Sequence, residues 1–199
     1  MTSCRLLNTK HLQVKNGVNR NLESISLCFL GARAVRAYKA HWMVAETLTV
    51  SQPLTMPFET ERTIMRPLNP GDSDLLFDLY NDPEIQSLAF TDHAAPRLAK
   101  WIEEMASSHE NFPGFVGLVE DKETRAFVGH VSLITAAAGT KRHECSFSIA
   151  LKREWWGRGI GTEITRWLIN HAFGKLAVHR VTLKVLSNND RALALYKRM

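Results

Sequence analysis

The chain has 199 residues, enough for one good domain with some excess, and its 45% hydrophobic and 23% charged content is ordinary for a globular protein. Its net charge of +5 is uneven: residues 1–45 hold seven Lys/Arg and one acid, Glu23, and the remainder holds 18 Lys/Arg against 19 Asp/Glu, which argues against a nucleic-acid-binding domain. Three scattered cysteines without a CxxC pair suggest neither a disulfide framework nor a zinc site, and no apolar run reaches the ~20 residues of a membrane span.

Residues 1–57 read as a basic extension or targeting segment outside the fold. The stretch "ISLCFLGARA" (Ile25–Ala34) has a short apolar centre and an Ala-x-Ala-like end, so a signal peptide is one reading. The acid-poor, Arg-containing character also fits an organellar transit peptide. A cytoplasmic location is expected unless the transit reading holds, in which case it is mitochondrial. "SQPLTMPFET" (Ser51–Thr60), with two prolines, is a linker, and the domain is placed at 58–199.

"RTIMRPL" (Arg62–Leu68) reads as a short strand, and Asp72 or Ser73 starts a helix carrying Leu75, Leu76, Leu79 and Tyr80 at helical spacing. Pro83 ends it, because the residue before a proline is driven out of the helical region. "APRLAKWIEEMASS" (Ala95–Ser108) is a second helix. Phe115–Glu120 and Phe127–Ile134 are strands joined by a hairpin. His143–Leu151 alternates, with Cys145, Phe147, Ile149 and Leu151 on one face. Ile160, Ile164, Trp167, Leu168 and Ala172 mark a helix, Arg180–Leu186 a strand, and Asn189 caps a last helix. This order is that of an α/β domain with a mixed sheet.

"EWWGRGIGTE" (Glu154–Glu163) places Gly157, Gly159 and Gly161 between that fourth strand and a helix start. Unpaired N–H groups and the positive end of the helix dipole gather there, and glycine lets a backbone approach an anion closely. The segment reads as a phosphate or diphosphate cradle with Arg158 beside it; a tight turn with close helix–strand packing is the alternative. The absence of GK[ST] disfavours a P-loop, and GxGxG after a fourth strand disfavours a dinucleotide-binding turn.

Trp156-Gly157-Arg158-Gly159-Ile160-Gly161 resembles the acetyl-CoA loop of the GNAT acetyltransferase superfamily, with Trp where Gln or Arg is usual. "NDRALALYKRM" (Asn189–Met199), one helix and one strand later, resembles that family's Asn…Leu-Tyr segment. The resemblance covers Arg62–Met199. "NDPEIQS" (Asn81–Ser87) is similar to the branch that acetylates ribosomal-protein N-termini. The resemblance implies an α/β fold with a mixed, mostly antiparallel central sheet flanked by helices. It also implies two further strands after the last helix, one of them on the acceptor side; these are expected to be missing.

Acetyl transfer to an amine requires a held and polarised thioester, a deprotonated amine and a stabilised leaving thiolate. The resemblance implies acetyl-CoA as co-substrate. It places the thioester along Ile149, Ala150 and Leu151, and the diphosphate on Trp156, Gly157, Arg158, Gly159, Ile160, Gly161 and Thr162. It makes Tyr196 the general acid and Asn189 a pantetheine contact, a helix cap, or both. Many relatives carry a basic carboxylate where Ser146 stands. Glu144 lies one strand repeat earlier, roughly 6.8 Å away, and is either a base acting through water or a solvated strand-edge charge. His130 is a second candidate base or a structural strand histidine. Cys145 faces the apolar side and is a poor nucleophile, so direct attack by a small-molecule or protein amine is expected, with no metal. The other open reading is a catalytically impaired coenzyme-A-binding module. The oligomeric state is not legible.

Overall fold

The computed structural model describes residues 4–15, 18–29, 58–90, 97, 99–108, 114–135, 143–176 and 178–199. Among the described residues eight strands form one sheet: β1 (Cys4–Lys15), β2 (Val18–Phe29), β3 (Phe58–Glu59), β4 (Thr63–Pro67), β5 (Gly114–Asp121), β6 (Phe127–Thr135), β7 (Glu144–Leu151) and β8 (Arg180–Leu186). Their spatial order is β1-β2-β8-β7-β6-β5-β4-β3. Neighbours are antiparallel except β7 and β8, which are parallel and joined through a helix. The helices are α1 (Ser73–Asn81), α2 (Pro83–Ala89), α3 (Ala99–Ser108), α4 (Ile160–Lys175) and α5 (Asp190–Tyr196). This is the mixed, mostly antiparallel sheet flanked by helices that the sequence predicts.

Each face of the sheet carries a core. Val131, Leu133, Cys145, Phe147, Val181 and Leu183 pack with Ile160, Ile164, Leu168 and Ala172, the apolar stripe of α4. On the other face Leu118 packs with Leu76, Leu79, Tyr80, Ile85 and Ile102 from α1, α2 and α3. The alternation expected of β7 holds through its first half, where Cys145 and Phe147 are buried and Ser146 and Ser148 are exposed. Arg66 of β4 bonds bidentately to Asp72 at 2.7 and 2.8 Å and reaches Glu120 of β5 at 2.6 Å. This fixes the turn that leads into α1, and so directs Asp72 to Arg66 rather than to a side-chain cap of α1.

One expectation is corrected. Residues 4–15 and 18–29 were assigned to a disordered or targeting extension, yet they form β1 and β2, and β2 pairs with β8 from Leu22↔Leu186 to Cys28↔Arg180. Ile25 and Leu27, which also fit the apolar centre of a targeting segment, are 0% and 1% exposed in the α4-side core. Local pattern does not record a partner strand at the other end of the chain. The one local sign was the Asn16-Gly17 dipeptide, a favoured hairpin turn. β2 fills the sheet position beside β8. The remaining extension residues, including the linker up to residue 57, lie outside the described residues.

Pro83 ends α1 as expected, and it does more. Its fixed φ opens α2 at the first helical position, and the Asp82 carboxylate caps it by accepting from the Glu84 and Ile85 amides at 2.9 and 3.1 Å. The helix expected over Ala95–Ser108 begins, in the described residues, at Ala99.

Candidate active site

β7 and β8 pair only at Glu144↔Arg180, Cys145↔Val181 and Ser146↔Thr182. Beyond these positions the strands part, while β7 stays paired to β6 as far as Gly129↔Leu151 and β8 stays paired to β2 as far as Leu22↔Leu186. A wedge opens between the two parallel strands. Backbone groups of β7 that face it have no strand partner there, and they need one from a ligand or water. Ile149, Ala150 and Leu151 lie at this open end and are half-buried. The Thr182 hydroxyl donates to the Cys145 carbonyl at 3.2 Å at the closed end.

The chain leaves β7 through a tight 3-10 turn, Arg153–Trp155, and then turns into α4. Gly157 has φ 75° and Gly159 φ 81°. Both are left-handed, a conformation that costs an L-residue about 1–2 kcal/mol, so the glycines are required by backbone geometry. Nothing lies within 4 Å of a Cβ built on Gly157, so space is open there. Gly161 is different: a Cβ would meet Leu151 Cδ1 at 3.5 Å and Leu195 Cδ1 at 3.6 Å, ordinary packing distances. The cradle is thus built by two glycines. Gly159 is the N-cap of α4 and no side chain caps the helix, so first-turn amides of Ile160, Gly161 and Thr162 remain for an anion.

Trp156 explains the departure at the head of this loop. Its indole Nε1 donates to the Leu151 carbonyl at 2.7 Å, tying the loop to the open end of β7, and the Arg191 guanidinium lies 4.9 Å from its ring centre. Arg158 lies 5.2 Å from the Trp155 ring. From the turn before β4, Arg62 reaches both the loop and the first turn of α4. It donates to the Arg158 carbonyl at 2.9 Å and to Glu163 through its backbone amide at 2.9 Å and its Nε at 2.7 Å. Burial pushes the Glu163 carboxyl up, but hydrogen bonds from Thr60 and Arg62 outweigh it and hold the group below its ordinary range. Sequence reading missed Arg62, since nothing local links it to a loop so far along the chain.

α5 follows β8 and begins beside the wedge. The Asn189 side-chain oxygen Oδ1 accepts from the Ala192 amide at 3.1 Å, capping the helix, and its side-chain nitrogen Nδ2 lies 3.5 Å from the Leu88 carbonyl of α2. Tyr196 is 7% exposed, and burial pushes its phenol up to about 12. A cavity of about 660 Å³ lies where α1, α2, the end of β7 and α5 meet. Its wall includes Asp78, Asp82, Glu84 and Glu154, together with Arg153, Trp156 and Arg191. Arg153 pairs with Glu84 at 3.2 Å, and Lys152 with Glu154 at 2.9 Å.

Of three other candidates, Glu144 and Cys145 lie apart from this meeting point, and His130 borders it. Glu144 starts β7 at the closed end of the wedge, five strand residues or about 17 Å from Ile149, and its carboxylate pairs with Arg180 at 3.0 Å. His130 sits opposite Ala150 on β6, 2% exposed, with Nδ1 2.8 Å from the Tyr80 hydroxyl. Cys145 is 2% exposed, and burial pushes its thiol up to about 12, so it is no nucleophile at neutral pH.

Two left-handed glycines, an uncapped helix start and a parted strand pair in one place fit the diphosphate and pantetheine arm of a coenzyme A ester. Comparison with known proteins gives the same direction. Residues 62–199 match the family model described as the acetyltransferase (GNAT) domain. The chain is 26% identical over 141 residues to the uncharacterized N-acetyltransferase p20 of Bacillus licheniformis, covering 68% of this chain and 76% of that protein. It is 20% identical over 143 residues to the uncharacterized N-acetyltransferase YoaA of Bacillus subtilis, covering 71% and 80%. Among solved structures it resembles spermidine N-acetyltransferase from Vibrio cholerae in complex with CoA and spermine, with 25% identity, a TM-score of 0.58, and 68% and 78% of the two chains covered. The chain belongs to the GNAT acetyltransferase family, enzymes whose acetyl donor is acetyl-CoA.

Proposed function

We propose that the protein transfers the acetyl group of acetyl-CoA to a primary amine of a small molecule, by direct attack and without an acyl-enzyme. The observation that carries this reading is the cavity beside the wedge. It has the volume of a small-molecule site, and its wall carries one more carboxylate than cations, Asp78, Asp82, Glu84 and Glu154 against Lys152, Arg153 and Arg191, a slight negative excess that suits a cationic amine. The likeness to an enzyme solved with spermine supports the same acceptor class. A protein N-terminus, the acceptor of the ribosomal-protein branch, is the second reading, favoured by "NDPEIQS" at the cavity rim.

In this reading the coenzyme ester supplies the activated acetyl group. The amides of Gly157 to Thr162 hold its diphosphate, and Arg158 adds charge beside it. Along Ile149, Ala150 and Leu151, the amides that face the wedge rather than β6 hold the pantetheine arm and polarise the thioester carbonyl. Trp156 keeps the loop against β7, and Asn189 fixes the start of α5. The phenol of Tyr196, held protonated at neutral pH by its burial, donates a hydrogen bond to the sulfur as it gains charge. The same apolar surroundings raise the proton affinity of that sulfur, which favours the transfer. Glu144 takes no part as base, because it lies at the other end of β7, and His130 is a structural partner of Tyr80; the amine attacks in its neutral form, the proton it sheds on becoming an amide passes to solvent water, and water returns a proton to Tyr196 after the thiolate has taken one.

The test is release of coenzyme A thiol with a panel of polyamines, amino acids and N-terminal peptides. Release with small amines is expected. Release with peptides alone would favour the second reading. Tight coenzyme binding without release for any amine would leave an impaired coenzyme-binding module.

A further inference from the structure

Arg62 is separated by almost a hundred residues from the glycine loop, yet four of its contacts end on that loop or the helix turn behind it. Its NH1 donates to the Arg158 carbonyl at 2.9 Å, Nε and NH2 grip Glu163 Oε2 at 2.7 Å each, and its backbone amide donates to Glu163 Oε1 at 2.9 Å. Its NH2 also stands 3.4 Å from the place a Cβ would take on Gly159. We propose that Arg62 is a positioning residue for the coenzyme diphosphate: it sets the direction of the Gly159 amide and neutralises the carboxylate behind the cradle.

The first half of this follows from peptide geometry. A trans peptide is planar, and its C=O and N–H point in opposite directions. The carbonyl of Arg158 and the amide of Gly159 belong to one such plane. Holding the carbonyl against the guanidinium turns the amide away from Arg62. Without that hold, glycines on both sides of Arg158 leave the plane free to rotate, because glycine populates both signs of φ. A loop built from glycines gains anion access and loses rigidity together, and the guanidinium restores the rigidity.

The second half is electrostatic. Glu163 lies in the first turn of α4, where a carboxylate suits the helix dipole. An anionic ligand at the same helix end is repelled by that charge. Arg62 cancels it with a planar, two-pronged contact that a lysine ammonium does not reproduce.

This inference rests on the proposed diphosphate cradle, so its experiment compares two acetyl donors, acetyl-CoA and acetylpantetheine, which has the thioester but no diphosphate. In the full chain, Arg62→Ala is expected to raise KM for acetyl-CoA about tenfold at unchanged kcat, the equivalent of one charge-assisted hydrogen bond. Its kcat/KM for acetylpantetheine is expected to move less than twofold. Arg62→Lys should fall between Arg62→Ala and the parent, and adding Glu163→Gln to Arg62→Ala should recover part of the loss by removing the uncompensated charge. Equal losses for both donors would make Arg62 a merely structural residue and overturn the proposal, as would an unchanged KM for acetyl-CoA. A parent protein that uses both donors equally well would instead remove the diphosphate cradle itself, and this proposal with it.

Discussion

The two strands that bound the wedge are supported in different ways. β7 is held along its outer edge by β6, the strand before it in the chain, and its exit loop is pinned by Trp156 and Arg62. β8 is held by β2, from the far end of the chain, through a seven-residue register and two fully buried side chains, Ile25 and Leu27. One support is a short hairpin plus polar ties; the other is a remote ladder plus apolar burial. The coenzyme side and the α5 side of one opening can therefore be damaged separately, and by different kinds of change.

The sharpest way to break that contrast is Ile25→Asp. It places an unpaired charge in the core and should destabilise the protein by about 3 kcal/mol or more, read as a lowered Tm together with faster deuterium exchange at β8 than at β7. A parent-like Tm would mean that the hairpin does not support β8. Tyr196→Phe tests the chemistry carried on the β8 side: kcat should fall about a hundredfold while KM for acetyl-CoA and Tm stay near parent values. Loss of Tm instead would make the phenol a packing group.

Acid titration probes the sheet away from the wedge. Hydrogen bonds from Arg66 hold the Asp72 carboxyl below its ordinary range, outweighing the opposing effect of burial. Its contribution to stability is thus fully present above the unfolded value of about 3.9 and is lost as pH falls through the lower folded value. Asp72→Asn should cost about 2 kcal/mol at neutral pH and flatten the acid limb of stability against pH; an unchanged limb would show that another carboxylate governs it. The smallest effect is expected at the closed end of the wedge. Glu144→Gln loses a partly exposed ion pair, so stability should change by about 0.5 kcal/mol or less and kcat by less than twofold. A large fall in kcat would restore Glu144 as the base.

What could be read from the chain depended on how local the cause was. Gly157 and Gly159 stand out because few residues adopt a left-handed backbone next to a helix start. The stripes of α1 and α4 and the alternation of Cys145 and Phe147 repeat within one element, so they too were visible. The interaction of Arg62 with Glu163 and the pairing of Ile25 with Leu183 join residues that share no local pattern. Pro83 was read rightly as the end of one helix but only in part, for a related reason: the same ring also starts the next, with the Asp82 carboxylate as its cap. Glu144 and Ser146 share a face and both lie where β7 is still paired to β8, so sharing a face does not bring a carboxylate to the open end of the wedge.

The union of β2 with β8 also orders events during synthesis. On the ribosome, β1 and β2 emerge before β8 and wait while residues 30–179 are made for the strand that β2 pairs with. Through that interval Ile25 and Leu27 are greasy side chains on a nascent hairpin with an open edge, the kind of surface that chaperones bind and that neighbouring nascent chains can capture. Yield in the cell should therefore depend on the delay between the first strands and the last, a quantity that codon choice and growth temperature can change while every residue stays the same.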